Sequence, residues 1–176
     1  MAEKHIIDPD GDCVLRLQRV VTIASENKGV TGEDEGARDL DIDVENANTV
    51  DDDSTAESSK ALTELHDVVL LVSSKHMMLA SPVFKAMFQH RFREGEELHQ
   101  TGMVVVSLPE DNPDKFLMLV NIIHCRGADV PLKISPEDLC DLAILVDKYE
   151  MHSAVKFVSN VWVLAWRKRI LQLQYR

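Results

Sequence analysis

A few side chains in this sequence are of types that bind metals, and their spacing decides whether they form a site. His124 and Cys125 are adjacent. With Cys140 or His152 they would supply nitrogen and sulfur ligands for a tetrahedral metal ion. Their spacing matches no zinc-binding pattern, and a cysteine at a helix end more often packs as a small apolar side chain. We therefore expect no metal centre here.

An acidic stretch offers a second possible ion site. Asp39, Asp41 and Asp43 have the spacing that opens a calcium-binding loop. Such a loop needs glycine at its sixth position and glutamate at its twelfth, where this chain has Val44 and Val50. The aspartates are therefore interpreted as part of a solvated acidic tract.

No pattern in the sequence predicts catalysis. A nucleophile needs a neighbouring base and a group that orients that base. The sequence has no Gly-x-Ser-x-Gly elbow, no glycine-rich phosphate loop and no His-Glu-x-x-His pair. It thus predicts a protein that is not an enzyme, with no catalytic residue and no cofactor.

The charge is concentrated in one segment. Residues 33–57 contain eleven acidic residues and one basic residue, so they carry −10 of the net charge of −11. The remainder is close to neutral and lacks the basic face that nucleic acids and anionic membranes attract. No apolar run approaches the roughly 18 residues of a membrane span. We expect neither nucleic acid nor membrane as a partner.

Three unpaired cysteines and an N-terminus without an apolar signal segment indicate reduced thiols. The predicted location is intracellular, in the cytoplasm or nucleus. The basic run Arg167–Arg169 has the composition of a nuclear signal. The pattern favours a cationic helix end that complements the helix macrodipole.

Three apolar runs predict β-strands. Residues 12–23 follow a turn dipeptide and alternate in part between apolar and polar. Asp67–Val72 is rich in β-branched residues and too short for a helix, and Met103–Leu108 forms a third run. Between residues 24 and 63 the apolar pattern is lost and there is no aromatic residue. That segment is predicted to be disordered.

Helices dominate the rest of the chain. A capping residue directly before a proline predicts a helix start at Ser81, Asn112 and Ser135. Apolar residues at helical spacing follow each cap, and a last helix begins near Ser153. Residues 89–102, by contrast, form a polar, flexible connection. The predicted fold is α+β, with a small sheet of about three strands packed on five to six helices.

Several of these segments resemble one known family. LLVSSKHMMLASPVFKAMF, at residues 70–88, is similar to the second strand and first two helices of BTB/POZ domains. Later segments follow in the family's order: FREGEEL (92–98), VVSLPEDNPDKF (105–116) and VPLKISPEDLCDLAILVDKYEM (130–151). Within the last segment, Leu142-Ala143 and Asp147-Lys148-Tyr149 resemble the versions common in fungal BTB proteins.

The resemblance also implies where the predicted strands belong. BTB/POZ domains begin with a β-hairpin, and Asp67–Val72 occupies the position of its second strand. The first strand is then Gly11–Leu17, and the acidic segment is an insertion inside the hairpin, which loop-closure entropy tolerates.

On this interpretation the BTB/POZ domain consists of residues 5–23 and 64–170, separated by a disordered acidic insertion at 24–63. The alternative is a disordered tail of 63 residues before a domain that begins at Leu65.

By resemblance, the function is protein–protein association, including pairing with a second copy. In BTB domains the first helices contribute to a homodimer surface, and exposed methionines suit adaptable interfaces. The candidate interface residues are Met77, Met78 and Met87, with Val14 and Leu17 on the first strand. For Met77 and Met78 a place in the core is an equal alternative. A further alternative is an adaptor that links a target to the cullin scaffold of a ubiquitin ligase.

Overall fold

The computed structural model describes residues 2–23, 62–89 and 91–174. The predicted disordered insertion, residues 24–63, lies outside these ranges apart from Leu62 and Thr63, which belong to a strand. Met1–Val21 and Leu65–Arg176 form one structural unit, and Thr22–Glu64 form a second.

The described residues form four β-strands in one sheet and six α-helices, which confirms the α+β prediction. The strands are β1 (Glu3–Ile6), β2 (Cys13–Ile23), β3 (Leu62–Val72) and β4 (Val104–Leu108). The helices are α1 (Ser74–Ala80), α2 (Pro82–Met87), α3 (Arg93–Thr101), α4 (Pro113–Ile123), α5 (Pro136–Lys148) and α6 (His152–Gln174), with a short 3-10 helix at Gly127–Asp129.

The strand order in the sheet is β1-β3-β2-β4. β1 runs parallel to β3, and β2 runs parallel to β4. β2, which contains most of the predicted first strand, lies directly beside β3 in the sheet. Gly11 lets the chain pass close to the end of β3, since an added Cβ would lie 2.7 Å from the carbonyl oxygen of Val72.

One face of the sheet is buried against the helices. In β2 the side chains of Leu15 and Leu17 are buried, whereas Arg16 between them is exposed. This alternation is the period of two expected for a strand with one covered face. The buried face comprises Cys13, Leu15 and Leu17 of β2, opposite Val104, Val106 and Leu108 of β4, together with Val68, Leu70 and Val72 of β3.

The three predicted cap-then-proline starts are confirmed. The Ser81 side chain accepts a hydrogen bond from the backbone N–H of Phe84, and Asn112 likewise caps α4. Ser135 forms a reciprocal capping box with Asp138 at the start of α5. Side-chain oxygens before each helix thus satisfy backbone donors that have no partner inside the helix.

Two tryptophans attach α6 to the segment before α5. The indole Nε1–H of buried Trp162 donates to the carbonyl oxygen of Pro131 at 2.8 Å, and that of Trp166 donates to Ile134 at 2.9 Å. α6 continues to Gln174, and its last turn contains no basic residue. The expectation that Arg167–Arg169 complements the macrodipole at the helix end is therefore wrong, because these residues lie before the last turn.

Two elements differ from the sequence predictions. β1 is a fourth strand in a region where none was predicted, because the sequence EKHI shows no clear apolar alternation. Residues 89–102 were expected to be a flexible connection, yet Arg93–Thr101 form α3. The buried residue of α3 is Gly95, where an added Cβ would lie 2.1 Å from the carbonyl oxygen of Gln89. A polar helix held by a glycine lacks the apolar stripe by which helices are recognised in sequence.

Deletion of residues 1–23 tests the place of β2 in the sheet. We expect the shortened chain to lose cooperative thermal unfolding, because the deletion removes a strand between two others and several buried side chains. Circular dichroism melts measure this loss. Deletion of residues 1–6 alone is the control, since it removes edge strand β1, keeps buried Ile7 and should leave a cooperative transition at a lower temperature. An unchanged melt after the longer deletion would contradict the strand order.

Candidate interaction surface

The turn between α1 and α2 is held by one buried hydroxyl group. The Oγ of Ser81 accepts a hydrogen bond from the backbone N–H of Phe84 at 3.1 Å and donates one to the carbonyl oxygen of Tyr149 at 2.6 Å. The first bond caps α2, and the second joins this turn to the end of α5. One fully buried side chain therefore links the turn between α1 and α2 to the end of α5.

An aromatic cluster surrounds this junction. The rings of Phe84 and Tyr149 stack with centroids 5.0 Å apart, and Phe116 meets Tyr149 edge-on at 5.5 Å. The Tyr149 hydroxyl donates to the buried carboxylate of Asp111, which also accepts a hydrogen bond from Lys148 Nζ at 2.6 Å. Burial, reinforced by the hydrogen bond to Asp111, raises the pKa of Tyr149. The phenol therefore stays protonated and keeps its donor role.

Side chains from two other elements fix the start of α1. The carboxylate of Asp12 accepts hydrogen bonds from the backbone N–H of Ser74 at 2.6 Å and from its hydroxyl at 2.7 Å. The Nε2 of His124 accepts a hydrogen bond from the backbone N–H of Ser73 at 3.0 Å. Nδ1 therefore carries the proton and donates to the carbonyl oxygen of Val120 at 2.8 Å. Both nitrogens of a neutral His124 have partners.

These contacts hold an apolar surface in place on α1 and α2. The side chain of Leu79, near the end of α1, is 88% exposed. Met78 and Met87 are half-buried and pack partly against the core. We call these three residues the α1–α2 surface. Because α1 is held at its start and after its last residue, this surface is presented by a positioned element.

The structure separates the five predicted interface residues into two groups. Met77 and Leu17 are core residues. For Met77 this is the alternative that the sequence left open, whereas for Leu17 it corrects an expected place at an interface. Met77 is fully buried in α1, and Leu17 lies on the covered face of the sheet opposite Leu108. Neither side chain has surface to offer a partner. Met78, Met87 and Val14 remain partly accessible.

Val14 lies apart from the methionines in the fold. It alternates with buried Leu15 along β2, so it faces the side of the sheet away from the core. There it borders a cavity of about 450 Å³ together with Val69 and Ser107.

Leu79 was not among the predicted interface residues, although the sequence contained a signal for it. Residues two positions apart on a helix do not share a face. Once Met77 is assigned to the core, Leu79 must point elsewhere. The three consecutive apolar residues Met77–Leu79 point in different directions around the helix, so the core cannot bury all of them and Leu79 is left exposed.

The residues considered as metal ligands do not gather into a site. Among residues 2–23, 62–89 and 91–174, no three His, Cys, Asp or Glu side chains are grouped to hold a metal ion. His124 uses both ring nitrogens in hydrogen bonds, and Cys125 and Cys140 are exposed thiols. The calcium-like aspartates at 39–43 lie outside the described residues. Within the described part of the chain, no helix has the length and apolar character needed to cross a membrane.

Comparison with protein families identifies the fold. The family model of the BTB/POZ domain matches residues 57–162, more than half of the chain. The chain belongs to the BTB/POZ family. The match in this BTB/POZ protein covers β3 through the first part of α6 and leaves out β1 and β2, which lie in the same sheet. BTB/POZ domains are protein-interaction modules. No curated protein sequence matches the chain.

Replacement of Ser81 tests the buried junction of this BTB/POZ domain. Ser81→Ala leaves the N–H of Phe84 and the carbonyl of Tyr149 without their partner, so we expect a loss of about 2–4 kcal/mol in the free energy of unfolding. Urea denaturation measures the loss. The control is Ser107→Ala, at an exposed position of β4, which should change stability by less than about 0.5 kcal/mol. An equal loss in the free energy of unfolding for the two variants would show that the hydrogen bonds of Ser81 add no stability beyond that of an exposed serine.

The environment of His124 predicts a pH-dependent stability. Burial lowers the pKa of His124, and nearby His76 and Arg126 lower it further, against the backbone hydrogen bond to Val120 and the charge of Asp8. As the pH falls below the ordinary value of 6.5, the unfolded chain binds a proton that the folded chain does not. This contribution to stability is therefore complete above that pH and is lost as the pH falls through the lower folded-state pKa.

Urea denaturation at about pH 7.5 and about pH 5.5 measures this dependence, in a range set by the ordinary histidine pKa. The matched variant is His124→Gln, which keeps a side-chain oxygen that can accept from Ser73 and does not titrate in this range. We expect the variant to lose less stability than the wild type on acidification. An equal loss in both would assign the effect to other groups.

Proposed function

We propose that this BTB/POZ chain is a protein-interaction module that pairs with a second copy through the α1–α2 surface. The observation that supports this function is the exposure of Leu79 on a helix fixed by Ser81, Asp12 and His124. A preorganised surface loses little conformational entropy when it binds, so its apolar contacts contribute more fully to affinity. Met78 beside Leu79 adds a flexible, polarisable side chain that suits self-association.

We further propose that residues 5–23 belong to the same domain as residues 64–170. The position of β2 between β3 and β4 supports this assignment.

The Leu142-Ala143 and Asp147-Lys148-Tyr149 motifs support a relation to the fungal members of the family. The free thiols of the three cysteines support a location in the cytoplasm or nucleus.

Light scattering tests the pairing. We expect the wild-type chain to have about twice the monomer mass of 19.8 kDa. Leu79→Lys should give a folded monomer, because it places a charge at the centre of the paired surface. The matched control is Ile144→Lys on α5, where the replaced side chain is also mostly exposed, at 66%. This variant should remain a dimer.

A monomeric wild type at tens of micromolar, or dissociation caused by Ile144→Lys and not by Leu79→Lys, would reject the proposed surface.

The second candidate function is an adaptor for a cullin scaffold. The start of α3 favours a heterologous partner, because Phe92 is 52% exposed there and Glu94 and Glu96 follow in the first turn. An exposed aromatic side chain next to carboxylates resembles an interface anchor with a polar rim. Affinity purification with wild type and Phe92→Ala tests this function. Recovery of a cullin by the wild type alone supports the adaptor, whereas equal recovery by both, or by neither, argues against it.

A further inference from the structure

The charge of α6 is opposite to that of the whole chain. The helix contains four basic residues and no acidic residue, in a protein of net charge −11. The guanidinium of Arg169 lies over the Trp166 ring at 5.2 Å. Arg167 and Lys168 are exposed, and neither takes part in the salt bridges of the described residues. The positive charge of these two residues therefore remains available to a partner.

Apolar side chains form a line along the exposed side of the same helix. Phe157 is 80% exposed, and Val161, Leu164 and Leu171 are also exposed. With Lys168, these positions follow one another at alternating intervals of four and three residues, which is the spacing of a coiled-coil seam. Trp162 is buried on another side of the helix. We call Phe157, Val161, Leu164, Lys168 and Leu171 the α6 seam.

The first half of the α6 seam borders an apolar cavity. Phe157 and Val161 line a space of about 240 Å³ with Val130, Pro131 and exposed Leu132. A side chain that projects from a helix laid along the seam would fill part of this space. The seam therefore combines a helical repeat with a receiving pocket, as helix-in-groove interfaces do.

We propose that the α6 seam binds an amphipathic helix of another protein in which acidic residues flank the apolar stripe. The four-three spacing selects a helix, because only a helical partner repeats its side chains in step with the seam. Lys168 within the seam and Arg167 beside it select carboxylates on that partner. A second copy of α6 fits poorly, because it brings four further cations and no acid to the contact. None of these observations involves the α1–α2 surface.

Two synthetic peptides of about 21 residues test the proposed partner, each with leucine at coiled-coil spacing over three heptads. One carries glutamate at the flanking positions, and its matched control carries lysine there. Fluorescence anisotropy with the full chain measures binding. We expect the glutamate peptide to bind with an affinity that falls as salt is added. The lysine peptide should bind at least about tenfold more weakly.

Variants of the chain locate the contact. The double substitution Phe157→Ser and Leu164→Ser should lower the affinity for the glutamate peptide at least about tenfold, since each change removes an apolar anchor. The matched control is Val163→Ser with Ile170→Ser, which changes exposed residues of the same helix outside the seam and should leave binding unchanged.

Charge reversal supplies a second, independent readout. The double substitution Arg167→Glu and Lys168→Glu should abolish binding of the glutamate peptide and allow binding of the lysine peptide. All substituted residues are exposed, so circular dichroism melts should show that every variant folds. Leu79→Lys should still bind the glutamate peptide, so a failure of self-association does not affect this test.

Several outcomes would overturn the proposal. These are equal affinity for the two peptides, binding of neither, and equal loss in the seam and control variants. Self-association of the full chain that is abolished by Leu164→Ser would assign the seam to a second copy. Binding to phosphatidylserine vesicles that is abolished by the charge reversal, without peptide binding, would assign it to a lipid surface.

Discussion

The hydroxyl of Ser81 joins two junctions that lie 68 residues apart in the sequence. On one side it caps α2 immediately after α1 ends, and on the other it donates to the carbonyl oxygen of Tyr149, the residue that ends α5. At the second junction Glu150 has a left-handed backbone with φ of 53°, and buried Met151 follows it. That sharp reversal directs the Tyr149 carbonyl to Ser81 while α6 starts in a new direction. A buried polar group that donates and accepts in fixed directions tolerates little displacement of either junction.

The hydrogen bond between Ser81 and Tyr149 lies between the helices that carry the α1–α2 surface and the α6 seam. α1, with exposed Leu79, leads directly into the Ser81 turn, and α6 leaves directly from the Tyr149 turn. Asp12 and His124 hold the other end of α1, while Trp162 and Trp166 hold the middle of α6. Each exposed apolar face thus belongs to a helix fixed at two places. The domain has therefore already lost most of the backbone freedom that binding would otherwise remove.

Local signals in the sequence were sufficient where one short-range interaction determines the structure. Ser81, Asn112 and Ser135 each cap a helix through contacts within three residues, so their roles could be read from the pattern alone. The α6 endpoint could not, because its apolar run has no glycine or proline to end it. The α3 helix ends at Gly102, but its polar sequence has no apolar stripe that would have predicted a helix before that glycine. The choice between core and surface for Met77 and Leu79 was also undetermined. It depends on which side of α1 meets the core, a tertiary contact that no helical pattern specifies.

The α1–α2 surface and the α6 seam differ in the force that would drive association. Leu79, Met78 and Met87 carry no charge, so contact there depends on removal of apolar area from water and responds little to salt. The α6 seam places Lys168 within an apolar line and Arg167 at its side, so contact there requires both burial and charge compensation. A partner without carboxylates would bring Lys168 into the contact without an opposite charge, which costs free energy. Charge therefore acts as a selective element at α6, whereas shape and apolar area alone determine the fit at α1 and α2.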